Sequence, residues 1–185
     1  MLKRLVQDYI LHLKLFSANA RYFLGGSFFM GSYMAIYWTM LNLYFKKLGL
    51  AEGTIGMINS FGALGTAVMA IPNAMIIDHV RLKRAMIVAA IITAMADICL
   101  VLVNNVSLIC LFAAIAGAMA NLHFVAVSPF FMRNSTPVER TYLYGVNHAL
   151  DMTAGIFGAL IGGYIPRLFE ANGLSLLIGY RRRLW

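Results

Sequence analysis

The sequence predicts an all-α membrane protein: a bundle of five transmembrane helices, with an amphipathic helix before it and the stub of a sixth span after it. Three observations predict this class. Of the 185 residues, 61% are hydrophobic and only 12% charged, whereas a soluble domain carries about twice that charged share. The apolar residues lie in long runs: no charge occurs between Arg21 and Lys46 or between Glu52 and Asp78. Asp97 is the only charge from Ala85 to Met132, and Asp151 the only one from Thr141 to Pro166. Crossing the hydrocarbon core takes about 20 mostly apolar residues, and these runs supply five such segments.

The elements follow in order. In residues 1–20, Leu2, Leu5, Val6, Tyr9, Ile10, Leu13 and Phe16 recur at helical spacing, with Lys3, Arg4, Asp8, His12 and Lys14 mainly between them. That pattern suits a helix lying on a membrane surface. It does not suit a signal peptide, because the apolar run that follows is too long and no small-residue cleavage site is evident. The bundle is expected over 21–170, with spans at 22–45, 54–77, 83–103, 107–132 and 143–165. Short links join them: "KKLGLAEG", "DHVRLKR", the tight "NNV" and "RNSTPVERTY". Such links leave little room for a soluble domain. Residues 171–185 read as a sixth span interrupted by Arg181, Arg182 and Arg183; the plainer alternative is an ordinary extracellular tail.

Lysine and arginine set the expected orientation. With the N-terminus inside, the N-terminal segment and the second and fourth links hold nine; the other side holds six, or three without the terminal triplet. The positive-inside rule then places the N-terminus in the cytoplasm of a multi-pass plasma- or inner-membrane protein. The net charge of +8 accordingly points to headgroups and the bilayer as partner. Nucleic-acid binding would need a basic soluble face, and none is predicted. Cys99 and Cys110 fall near the same end of adjacent spans, so a disulfide is conceivable, but two buried thiols are the simpler expectation.

Charges at membrane depth are costly and tend to face a bundle interior or cavity. Asp97, His123 and Asp151 are the groups at depth, with His148 nearer the cytoplasmic end. They are the candidates for substrate or proton coupling. His123 and Asp151 each lie eight or nine residues from their cytoplasmic ends, roughly 12 Å in at the helical rise, so they could meet between the fourth and fifth spans. A His–Asp pair suits proton coupling because histidine titrates near neutral pH. The plainer reading makes His123 a packing residue, with Asn121 and Asn147 satisfying neighbours. Tyr33 and Tyr37 could line a cavity or simply pack. On the fifth span Ala154, Gly158 and Gly162 repeat every four residues, a spacing that lets helix backbones approach closely. No nucleophile motif, phosphate loop or metal spacing occurs. No enzyme activity and no cofactor are expected, and an ATP-driven pump is disfavoured.

Three stretches resemble the N-terminal half of a major facilitator superfamily transporter. "LNLYFKKLGLAEGTIG" (41–56) resembles the end of the first helix and start of the second. "AMIIDHVRLKR" (74–84) partly matches the family's loop motif, with Asp78 and His79 in place, Lys83 and Arg84 as the basic cluster, and Ala74 and Arg81 where glycines stand. "SPFFMRNSTPVERTYLYGVNHALDMTAGIFGALIGGYIP" (128–166) resembles the passage from the fourth helix to the fifth, including its "ER" pair. Gly145, Gly158, Gly162 and Gly163 fall at the spacing of the glycine-rich antiporter motif, but Ala154 and Ala159 replace a glycine and a proline, so symport and antiport both stay open. The resemblance implies alternating access by two six-helix halves around a midplane site. It implies that Asp78, with Lys83 and Arg84 as charge partners, belongs to a gating loop; the alternative is a plain cytoplasmic anchor. It implies a small-molecule substrate, a C-terminal half or second copy as partner, and a chain that is a partial transporter. The competing readings are an inactive gene fragment, or a membrane interaction protein that binds a partner through the small-residue face of the fifth span.

Overall fold

The computed structural model describes residues 16–171. Six α-helices make up the described residues, with no strand among them: α1 (Ala18–Lys47), α2 (Glu52–Val68), α3 (Ala70–His79), α4 (Leu82–Leu102), α5 (Val106–Asn134) and α6 (Pro137–Ala171). The expected surface helix of residues 1–20 lies mostly outside the described residues, and Ala18–Ala20 already belong to α1. The expected sixth-span stub, but for residue 171, also lies outside them.

The chain forms two units: Met1–Gly49 with Phe131–Trp185, and Leu50–Phe130. In the first unit, α1 begins where Ser17 caps it. The Ser17 hydroxyl accepts from the Ala20 N–H at 3.2 Å and donates to the Asn134 carbonyl at 3.0 Å. One N-cap residue thereby satisfies an orphan amide and ties α1 to the end of α5. At the other end Lys46 and Lys47 occupy the last turn, favourable for the helix dipole. Gly49 follows at φ +83°, the left-handed stop that glycine adopts without Cβ strain.

The "TPVE" stretch starts α6. Pro137 is its first residue, where a missing N–H costs nothing. Thr136 and Glu139 close a capping box: the Thr136 N–H donates to Glu139 Oε2 at 3.0 Å, and the Glu139 N–H to Thr136 Oγ1 at 3.4 Å. Arg140 turns the other way and donates to the carbonyls of Met132 and Ser135 at 3.3 and 3.4 Å, covering the orphan acceptors at the end of α5. Both members of the "ER" pair thus shape this turn.

In the second unit a proline interrupts what the sequence presents as one span. Helices α2 and α3 meet at a 43° bend around Met69. Pro72 has no N–H for the Val68 carbonyl four residues back, and its ring crowds that carbonyl. Two residues, Val80 and Arg81, then separate α3 from α4. Asn105 starts α5 by accepting from the Ser107 N–H at 2.9 Å.

Burial identifies the solvent. On α4 the buried residues are Ala85, Ala89, Thr93, Ala96, Asp97 and Leu100, while Ile87, Val88, Ile91, Met95 and Ile98 are at least half exposed. Apart from Leu100, the side chains inside are small or polar, and large aliphatic ones lie outside. Water would penalise that arrangement at about 25 cal/mol per Å² of apolar surface, whereas lipid does not. The protein is embedded in a membrane. Helices α4 and α5 are each long and apolar enough to cross it, and α2 with α3 adds a third crossing if the bent pair is one span. Helices α1 and α6 are longer, at 30 and 35 residues, but more polar.

Candidate functional site

The first unit holds Asp151. It sits on α6 in a stripe with Asn147, Ala154, Gly158 and Gly162, and this stripe faces α1. A Cβ on Gly31 would lie 3.1 Å from Ala154 Cβ and 3.6 Å from Asp151 Oδ1. One on Gly158 would lie 2.7 Å from Ala35 Cβ and 2.8 Å from the Ser32 carbonyl oxygen. One on Gly162 would meet the Ile36 backbone and Thr39 Cβ at 3.1 Å. Residue numbers rise together along both helices, so α1 and α6 run parallel. The small-residue face therefore packs against α1 within the chain. That corrects the expectation that an interaction protein would offer this face to a partner.

Hydrogen bonding holds the carboxylate. Asn147 Nδ2 donates to Asp151 Oδ2 at 3.0 Å. Asn147 is buried, and its Oδ1 has no hydrogen-bond partner. Ser27, one turn before Gly31 on α1, is 2% exposed, and its hydroxyl also has no partner. By the parallel register, Ser27 stands at the level of Asn147. Beneath this polar layer lie Phe23, Phe131 and Tyr144, in edge contacts with centroids 5.4 and 5.1 Å apart. His148 is exposed, off the stripe. Tyr33 and Tyr37 stack at 5.8 Å.

The second unit holds the other ionisable groups. Asp97 is buried on α4, one turn beyond Thr93 on the same face. His123 is half-buried on α5, its ring edge-on to Phe124. Asn121 donates to the Thr66 carbonyl at 3.2 Å, in the last turn before the bend. Thr66 reaches the carbonyls of Gly62 and Gly117, both at 3.1 Å. Asn73 Nδ2 donates to the Ala118 carbonyl at 2.8 Å. Among the described residues no group of three or more His, Cys, Asp or Glu could hold a metal. Cys99 and Cys110 are free thiols, Cys110 buried and Cys99 half-buried. At the α3–α4 link, Asp78, Lys83 and Arg84 are all exposed. No ion pair joins Asp78 to either base among the described residues; the His79 ring instead bonds the Met75 carbonyl at 2.8 Å. Lys83 and Arg84 sit in the first turn of α4, where the helix dipole disfavours cations.

The comparison with known families decides the identity. The sequence profile of the Major Facilitator Superfamily matches residues 23–179. The chain belongs to the major facilitator superfamily. No curated protein and no solved structure matches it. Superfamily members are transporters rather than enzymes, which turns attention from catalysis to the polar groups on the helices. Residues absent from the expected set are Ser27, Gly31, Thr66, Asn73 and Thr93. The available signal was spacing: Ser27 precedes Gly31 by four residues, and Thr93 precedes Asp97 by four.

Proposed function

We propose that this superfamily chain carries out secondary active transport of a small solute by alternating access. It would act as the N-terminal portion of a transporter in a plasma or inner membrane, with its N-terminus in the cytoplasm. At the helical rise, α1 and α6 measure about 45 and 52 Å, longer than the roughly 30 Å core. That length supports reading them as spans beside α2–α3, α4 and α5. The observation that carries the reading is the carboxylate of Asp151, held by the Asn147 amide on the small-residue face of α6 that packs against α1. A carboxylate there carries a charge when ionised and a proton when not, which is what coupling to a gradient requires. Asp97 and His123 are the further coupling groups of the proposal. Asp78, Lys83 and Arg84 would form the gating loop that meets a C-terminal half or a second copy.

Everted vesicles containing the chain, alone and with a candidate C-terminal half, test this with a pH-gradient dye. Sugars, organic cations, organic anions and short peptides are added in turn. One class is expected to collapse the gradient, and Asp151→Asn to reduce the response at least tenfold while Gly56→Ala leaves it unchanged. Gradient-driven flux that survives Asp151→Asn would remove that residue from the coupling path. Absence of flux for every class in both formats would overturn the transport reading.

A further inference from the structure

We infer that the end of the first unit where α1 begins and the α5–α6 turn closes is a docking surface for anionic phospholipid. Three arginines stand at this end, each beside the apolar stretch of its helix. Arg21 precedes Tyr22 on α1, Arg133 follows Met132 on α5, and Arg140 lies three residues before Leu143 on α6. Contacts bring the three helix ends together. Phe23 of α1, Phe131 of α5 and Tyr144 of α6 form one aromatic cluster, with edge contacts at 5.4 and 5.1 Å. Arg21, Arg133 and Arg140 are two, two and four residues from those rings, all toward the same end. At the helical rise that is about 3–6 Å further out. Ser17 and Asn19 of α1 tie the same level to α5, donating to the Asn134 carbonyl at 3.0 Å and to its Oδ1 at 3.2 Å.

The hydrogen bonds at this end leave its charge in place. Arg21 Nε donates to the Phe16 carbonyl at 3.1 Å, and Arg140 Nη2 to the carbonyls of Met132 and Ser135 at 3.3 and 3.4 Å. These acceptors are neutral, so they fix the guanidinium groups without cancelling them. Arg133 is exposed. Glu139 is the carboxylate of the turn, and it accepts from the Thr136 N–H. Three arginines against one glutamate leave two positive charges. One position inward from Arg21 and Arg133, large side chains are uncovered: Tyr22 is 81% exposed and Met132 58%. Cations at the rim with apolar groups just inside them match a phosphate above its acyl chains. Arginine suits phosphate because its N–H groups bond two oxygens at once, and tyrosine suits the headgroup boundary. A soluble anion would use the charge and leave the apolar groups bare. A zwitterionic lipid would use the apolar groups and leave the charge unmatched. The surface stands on three-helix packing and needs no transport activity.

Native mass spectrometry of the purified full chain in neutral detergent tests it, by titration with phosphatidylglycerol, phosphatidylcholine or glycerol 3-phosphate. Each net charge favours an anionic lipid about fivefold, so phosphatidylglycerol is expected to bind roughly thirtyfold more tightly than phosphatidylcholine. Glycerol 3-phosphate should bind no better than phosphatidylcholine. Arg133→Gln changes an exposed side chain and should cut the preference about fivefold. Arg21→Gln with Arg133→Gln should abolish it. Lys46→Gln with Lys47→Gln removes as much charge from the far end of α1 and should leave it unchanged. Equal binding of the two lipids would overturn the surface. So would a preference that survives the arginine pair of substitutions, or one that is lost with the lysine pair. Glycerol 3-phosphate binding as tightly as phosphatidylglycerol would overturn the lipid in favour of a soluble anion.

Discussion

Gly65→Ala tests how closely α2 and α5 approach. A Cβ at position 65 would overlap the Ala114 carbonyl oxygen and stand 2.7 Å from its carbon and 2.9 Å from its Cα. All three are backbone atoms of a helix, so no rotamer relieves the overlap. The helices must separate locally by more than an ångström. Overpacking of this kind costs about 1–3 kcal/mol. Separation also stretches two bonds across the same seam, Thr66 Oγ1 to the Gly117 carbonyl and Asn121 Nδ2 to the Thr66 carbonyl, at 3.1 and 3.2 Å. Each is worth about 0.5–1.5 kcal/mol. Alanine's better helix propensity returns up to about 1 kcal/mol. The net loss is about 3 kcal/mol, or roughly 6–12 °C in Tm. A thiol-reactive dye reads the transition, because Cys110 is buried and free. Gly56→Ala on the same helix is the control: its Cβ would meet nothing within 4 Å, so it should hold or gain stability. Equal melting of the two variants would refute the close approach of α2 to Ala114.

Two further outcomes are expected. Thr136→Ala breaks the capping box of α6 and should cost about 1 kcal/mol, read as a lower melting temperature, with Thr136→Ser restoring most of it. Replacing Arg81, Lys83 and Arg84 by Gln lowers the expected cytoplasmic count from nine to six, equal to the other side. A mixture of orientations should result, read by impermeant labelling of a cysteine placed at the exposed Glu52; uniform orientation would remove these residues as the topology signal.

The helices were legible because membrane helices need long charge-free runs, and chemistry gives no other use for them. The segments 22–45, 107–132 and 143–165 fall within α1, α5 and α6. The ends were less legible, because side chains outside the apolar run set them. Helix α1 starts at Ala18, four residues before the apolar segment, since Ser17 supplies the cap. The break in 54–77 was missed because Pro72 sits inside an apolar run, where hydropathy does not register a lost N–H. The pairing of His123 with Asp151 was drawn from matched depth. Depth does not specify which way a side chain faces, and the hydrogen bond that Asp151 accepts from Asn147 on its own helix leaves that pairing an expectation. Ser27 and Thr93 offered only their four-residue spacing to Gly31 and Asp97 as a signal, since a lone hydroxyl in an apolar run reads as a harmless residue until its burial is known.

The stripe on α6 explains why packing and charge occur together. Asn147, Asp151, Ala154, Gly158 and Gly162 follow spacings of four, three, four and four, so all share the face against α1. Gly158 and Gly162 let the backbones close, and closing brings Gly31 over Asp151, its would-be Cβ 3.8 Å from the Asp151 Cα. A carboxylate beside a glycine backbone is shielded from lipid by main chain rather than by a bulky side chain. Its hydrogen bond to Asn147 runs along α6, not across the seam, so α1 can slide without breaking it. Sliding would instead change what covers the carboxylate. The depth that makes Asp151 costly in lipid is thus made tolerable by the glycines that hold α1 close, and the two features cannot be altered independently. Enlarging Gly158 should therefore disturb the environment of Asp151 two turns away, as well as the helix contact itself.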